Sequence, residues 1–257
     1  MSCQCVRCPA LLSNVIAIAS IQHSRYACCL SFGNILMPFD LPPVTRNLLI
    51  ANVVVFLLQL MLHDSTSFAL TQHFALWPLG PDVTGTNANG DVITAGFRVW
   101  QVLTYAFMHG GYEHILFNMI ALYMFGGVIE RTFGTRNFVI YYIVCAIVAA
   151  VAQLLVMQWF THGFFPTVGA SGAIFGLLLA FGMLYPQEKV MLIFLPVPMP
   201  AWLFVSGYAL VELVLGVTGT DAGVAHFAHL GGALGGWVMI EYWRGRLPFK
   251  PKRLLLR

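Results

Sequence analysis

Charge is what this sequence has least of. Its 257 residues hold only 13 Lys and Arg and 10 Asp and Glu, 9% of the chain, where a soluble domain carries about 25%. So few charges cannot coat a water-soluble globule. Cysteine is sparse too. Cys3, Cys5 and Cys8 cluster, Cys28 and Cys29 are adjacent, and Cys145 stands alone in an apolar run. That pattern implies no disulfide framework, and no His or second Cys pair follows the first cluster at a zinc-ligand spacing. A secreted disulfide scaffold, a disordered tail and a nucleic-acid module are thereby excluded. What is present is apolar: 59% hydrophobic residues, a mean hydropathy of +0.79, and several apolar windows as long as a bilayer is thick. The composition is that of a polytopic membrane protein.

Gaps between charged residues divide the chain, because a charge near mid-bilayer costs roughly 2.5–3.5 kcal/mol. They predict six spans. The first is Asn47 to His63 and the second is centred on Ile115 to Ile129. The uncharged stretch Asn137 to Gln187 is too long for one helix and is broken at Thr161–Gly169 by two Gly and a Pro, which predicts helices over Asn137–Phe160 and Ala170–Tyr185. Pro196, Pro198 and Pro200 push the start of the fifth helix to Ala201, from where it runs past Glu212 to about Val217. Ala222 to Ile240 is the sixth.

Six spans place both ends of the core on one side. If Arg46 is cytoplasmic, ten basic residues lie inside (Arg46, Arg131, Arg136, Lys189 and six in the tail) and Arg98 alone lies outside, which fixes the orientation. The segment from Asp64 to about Gly111 is then external. With Trp77-Pro78 and Trp100 it has the content of a structured loop lying in the interface. Arg7 followed by Pro9–Ile21 faintly resembles a signal sequence, and the extension can equally lie upstream of a start at Met37.

Polar groups inside spans ask for a reason, either helix packing or chemistry. His114 and Asn118 are spaced i,i+4, one turn apart on one face at the start of the second span. Ser171, in Gly169-Ala-Ser171-Gly172, lies in the first turn of the fourth helix, where backbone N–H groups lack an intrahelical acceptor. His226 and His229 open the sixth. All three helix starts face outward in the predicted topology. Gly172 and Gly176, and Gly232 and Gly236, are small-xxx-small spacings that let two helices approach closely.

Taken in order on six spans, His114-xxx-Asn118, Gly126-xxx-Glu130-xxx-Gly134, Gly169-Ala-Ser171-Gly172 and His229-xx-Gly232-xxx-Gly236 resemble the rhomboid intramembrane serine proteases. The resemblance covers about residues 44–243, between an extension at 1–43 and a basic cytoplasmic tail at 244–257. It implies an all-α bundle of six transmembrane helices with a structured external loop, in a bacterial inner membrane. It also implies an endopeptidase that needs no cofactor or metal and cuts transmembrane protein substrates within the lipid bilayer.

By the same likeness, Ser171 is the nucleophile and His229 the general base, a dyad with no acidic third member. Phe175 stacks on the imidazole, and His114 and Asn118 join the Ser171 N–H as oxyanion donors. His226 is set aside as the base because only His229 is followed by Gly at +3 and +7. His109 organises the loop or waters near the entrance. Glu130 is structural, binding donors of the segment Arg131–Arg136. One departure bears on loop anchoring: Trp100-Gln101 stands where many rhomboids have Trp-Arg. Two other classes stay open at this point, an inactive rhomboid-like binding protein and a haem or metal protein using His109, His114, His226 and His229. Oligomeric state is unassigned.

Overall fold

A computed structural model describes residues 41–62, 66–86, 92–161, 164–191, 197–218, 225–249, 251 and 255. The cysteine cluster with the rest of residues 1–40, and Lys250, Lys252, Arg253 and Arg257 of the basic tail, lie outside the described residues.

Pro43 opens helix α1 (Pro43–Met61), where its missing N–H costs nothing. After it come α2 (Thr66–Phe74), an antiparallel hairpin of β1 (Val83–Thr86) and β2 (Val92–Ala95), and the single turn α3 (Gln101–Thr104), continued by a 3-10 turn over Tyr105–Phe107. The external segment is therefore structured. Helix α4 (Tyr112–Ala121) runs through a π segment at Leu122–Gly126 into α5 (Gly127–Phe133), and α6 spans Thr135–Val156. Helix α7 (Ser171–Leu184) is short. Strands β3 (Lys189–Val190) and β4 (Met199–Pro200) pair briefly before α8 (Ala201–Thr218), and α9 covers His226–Trp243.

Helices thus occupy all six expected positions. Among the described residues, four stretches are long and apolar enough to cross a membrane: Pro43–Met61, Tyr112–Phe133, Thr135–Phe160 and Ala201–Thr218. Ser171–Leu184 is shorter, at 14 residues, and α9 completes the bundle. Exposed residues agree with a lipid environment. Leu57, Leu58 and Met61 on α1, and Leu203, Leu210 and Val214 on α8, all face outward, a distribution that would aggregate in water.

Small residues set the packing around α6, the central helix. Helix α9 carries two glycine pairs, one on each of two faces. A Cβ on Gly231 would meet Ala152 Cβ at 2.4 Å and one on Gly235 would meet Val148 Cβ at 2.9 Å, so this pair faces α6. A Cβ on Gly232 would lie 1.8 Å from Gly172 O, and one on Gly236 would lie 3.2 Å from Gly176 Cα, so the other pair faces α7. The matched offsets, 172 with 232 and 176 with 236, mean that α7 and α9 run parallel in backbone contact. Tyr141 of α6 closes the layer by donating its hydroxyl to Gly176 O at 2.7 Å.

Two polar residues tie the rest together. Glu130 departs from expectation. It accepts chiefly from the start of α1, from Thr45 N (2.7 Å), Thr45 Oγ1 (2.8 Å) and Val44 N (3.1 Å), with only a long bond from Thr135 Oγ1 (3.4 Å) in the Arg131–Arg136 segment. It secures α1 to α5 because α1 begins on Pro and has no side-chain cap. Gln101 answers the question raised by the absent arginine. Fully buried, its Oε1 accepts from Arg98 N (3.0 Å) and Trp77 N (3.3 Å), and its Nε2 donates to Gly96 O (3.2 Å) and His73 O (3.3 Å). A neutral amide thus joins four backbone positions of the segment between α1 and α4, while Arg98 pairs with Asp82 at 2.7 Å on the surface.

The glycine contacts yield a prediction. Gly232→Ala drives a methyl into backbone that no rotamer change can move, and is expected to destabilise the bundle by about 2 kcal/mol or more. Gly207→Ala on α8, where a Cβ meets nothing within 4 Å, should leave stability unchanged or slightly raised. Unfolding of the purified variants in detergent, followed by circular dichroism, checks both.

Candidate active site

The chain reaches Ser171 through an irregular segment held at three points. Leu76 and Thr167 exchange two backbone hydrogen bonds (2.9 and 2.8 Å), and Gly169 N donates to Tyr105 O at 2.9 Å. Gly169 has φ +123°, a left-handed conformation that disfavours side chains. A Cβ there would also strike His114 Nε2 at 2.6 Å and come within 3.5 Å of Ser171 Oγ. Glycine at this position is what lets the His114 ring lie against the strip leading to the serine.

Ser171 is the first residue of α7, preceded by Ala170 as cap. Its hydroxyl meets His229 Nε2 at 2.8 Å. His229 is buried, its side chain 11% exposed, and its imidazole stacks on Phe175, with centroids 4.4 Å apart and planes 4° from parallel. Phe175 follows Ser171 by one turn, so a single helix supplies both the hydroxyl and the plate that orients the ring.

His114 and Asn118 sit on α4, one turn apart. Gly110 N–H donates to His114 Nδ1 at 3.4 Å. That bond assigns the proton of the neutral ring to Nε2, the nitrogen beside Gly169. Asn118 is 6% exposed and its Nδ2 has no hydrogen-bond partner among the described residues. A buried donor without an acceptor costs about 1–3 kcal/mol, a cost that functional sites tolerate when the acceptor arrives with substrate. The N–H of Ser171, at a helix start, has no intrahelical acceptor by position.

His109 lies in the turn before α4, buried, its ring edge-on to His114 (5.2 Å) and Phe56 (6.4 Å). Gln59 of α1 clasps its backbone, accepting from His109 N at 3.0 Å and donating to His109 O at 3.1 Å. Burial pushes its pKa down to about 4, so at neutral pH the ring places no positive charge beside His114. A cavity of about 440 Å³ opens here, bounded by Phe56, Gln59 and Tyr112 rather than by Ser171.

One group was missed in the sequence. Glu212, 4% exposed on α8, reaches His229 Nδ1 at 2.9 Å and His226 Nδ1 at 2.7 Å through the same oxygen, Oε2. The expectation that the base has no acidic neighbour is therefore corrected. The available signal was a carboxylate in the middle of an apolar span, a costly feature that calls for a named partner. Among the described residues these three also form a group that could hold a metal ion, their ligand atoms lying within 4.8 Å of one another. The 2.7 and 2.9 Å separations are hydrogen-bond lengths. Both nitrogens of His229 are engaged, one by Glu212 and one by Ser171, so a metal or haem would have to break an existing bond.

A polytopic helical membrane bundle with a serine hydroxyl and an imidazole paired near the starts of α7 and α9 defines the class of protein. Comparison with known families supplies the rest. A profile described as Rhomboid domain matches residues 96–245, more than half the chain, and the protein belongs to the rhomboid family. Among curated relatives, Rhomboid protein 1, mitochondrial, of Saccharomyces cerevisiae is 33% identical over 144 residues, covering 53% of this chain and 39% of that protein. Rhomboid protease GluP of Bacillus subtilis is 30% identical over 138 residues, covering 54% of this chain and 25% of its own length. Putative rhomboid protease YdcA of the same organism is 32% identical over 145 residues, 54% of this chain and 66% of that protein. The matches thus span between a quarter and two thirds of these relatives.

The geometry predicts selective chemical reactivity. A fluorophosphonate should label the purified protein on Ser171, and His229→Ala should reduce labelling to background. Phe175→Ala, which frees the ring to rotate, should slow labelling by about tenfold. Gel fluorescence and peptide mass spectrometry read all three.

Proposed function

We propose that this protein is an intramembrane serine endopeptidase that hydrolyses peptide bonds in or near transmembrane segments of other membrane proteins. The observation that carries the reading is the 2.8 Å contact between Ser171 Oγ and His229 Nε2, made between helices of a membrane bundle and beside an unpartnered Asn118 amide.

In this mechanism His229 Nε2 takes the proton of Ser171 as Oγ attacks the scissile carbonyl carbon. The resulting oxyanion is met by the Ser171 N–H, the His114 Nε2–H and the Asn118 Nδ2–H. Such donors are each typically worth about 2.7–4 kcal/mol in the transition state. His229 then hands its proton to the leaving amine. A water molecule entering from the outer face attacks the acyl-enzyme, His229 again serving as base. The substrate helix must unwind locally, since a helical peptide bond hides its carbonyl carbon, so substrates should carry small or helix-destabilising residues near the cut.

The reading places the bundle in a bacterial inner membrane with both ends of its core cytoplasmic. Relatives named as mitochondrial make an organelle membrane the alternative. An inactive binding protein that holds client helices would need none of these groups aligned.

With purified protein in detergent or liposomes and a model transmembrane substrate, Ser171→Ala and His229→Ala should each abolish cleavage and leave the fold intact. Asn118→Ala should lower kcat by about 10²–10³-fold with little change in stability, because Nδ2 has no bond to lose in the resting protein. Cleavage that persists in Ser171→Ala would refute the proposal.

A further inference from the structure

We propose that Glu212 is a positioning residue for the general base: its carboxylate fixes the tautomer and orientation of His229, and His226 holds that carboxylate in place. The inference rests on the reading of Ser171 and His229 as nucleophile and base, and goes beyond a two-residue site.

For His229 Nε2 to accept the Ser171 proton, the neutral imidazole must carry its hydrogen on Nδ1. Nδ1 lies 2.9 Å from Glu212 Oε2, and a carboxylate can only accept there, so Glu212 selects the tautomer that leaves Nε2 basic. Stacking on Phe175 sets the plane of the ring but is indifferent to which nitrogen holds the proton. Glu212 supplies what stacking cannot.

The same carboxylate acts when charge appears. As the Ser171 Oγ–H bond breaks and the Nε2–H bond forms, His229 becomes an imidazolium, buried from water. Oε2 then faces a cation across a charge-assisted hydrogen bond, which is shorter and stronger than a neutral one. No proton needs to move to Glu212.

His226 explains why the carboxylate is in position. Its Nδ1 lies 2.7 Å from the same Oε2, and its ring stands edge-on to His229 with interplanar angle 89°. As a neutral ring with hydrogen on Nδ1, it donates a second bond to the oxygen. A buried carboxylate is otherwise expensive in a membrane bundle. Two N–H donors from one helix turn of α9 fix it, and they also tie down α8, whose remaining side chains mostly face outward. The other titratable groups near this cluster are Tyr208, one turn before Glu212 on α8, and His114 across from His229.

The test uses the full chain in detergent with a model transmembrane substrate. Glu212→Gln keeps size and removes the charge. Its kcat should fall by at least about tenfold with KM within about threefold of the parent, and Glu212→Asp should recover part of the loss. A merely structural role would lower the yield of folded protein without this kcat–KM split. In 15N spectra of histidine-labelled protein, the His229 signal, identified by its loss in His229→Ala, should show hydrogen on Nδ1. Glu212→Gln should shift it toward the Nε2–H tautomer.

A Glu212→Gln enzyme with kcat within about threefold of the parent, alongside an inactive Ser171→Ala, would overturn the role of Glu212 and leave the serine–histidine reading intact. Activity in Ser171→Ala would overturn that underlying reading instead. Should the Glu212 variants fail to fold, the tautomer of His229 in the unmodified protein decides: hydrogen on Nδ1 supports the proposal, and hydrogen on Nε2 overturns it.

Discussion

The site depends on how closely α7 and α9 approach. Gly232 leaves so little room that a single methyl would sit on the carbonyl oxygen of Gly172, and this contact sets the height of everything above it. Ser171 precedes Gly172 by one residue and His229 precedes Gly232 by three, so locking the two glycines together places hydroxyl and imidazole face to face at 2.8 Å. Larger residues would force the two axes apart and with them the hydroxyl and the imidazole. Lipid gives helices no hydrophobic reason to associate, so contact at this range must come from van der Waals packing and backbone proximity, and glycine is the residue that allows it.

Around that contact the protein divides its polar groups into those already satisfied and those left waiting. Glu130, Gln101 and Gln59 have their partners and hold α1, the external segment and the turn before α4 in place. Asn118 does not, and its free amide lies on the helix that also carries His114. In a water-poor interior such an asymmetry is costly at rest. In the proposed mechanism it is offset when a developing negative charge arrives, the condition under which preorganised donors lower a barrier.

Much of this was legible from residue order. Charge gaps located the helices because a charged group in hydrocarbon is penalised wherever it stands, and the proline triplet marked the start of α8 at Ala201. The glycine spacings pointed to a close helix pair and hence to Ser171 with His229. What escaped notice was decided by side chains meeting across the bundle. Glu212 was treated as a residue the fifth helix passes over, yet the rule that singled out His114 and Asn118 applied equally to it. The π segment at Leu122–Gly126 and the amide hub at Gln101 have no periodic signature, and Glu130 bonds to residues 85 and 86 positions away, a separation no local pattern encodes.

In the proposed mechanism Ser171 attacks in a pocket whose donors await an oxyanion. A high-resolution structure of the fluorophosphonate adduct tests it most directly. The account predicts phosphorus bonded to Ser171 Oγ, with the phosphoryl oxygen within hydrogen-bond reach of the Ser171 N–H, His114 Nε2 and Asn118 Nδ2. An adduct on another residue, or a phosphoryl oxygen turned away from all three donors, would contradict it.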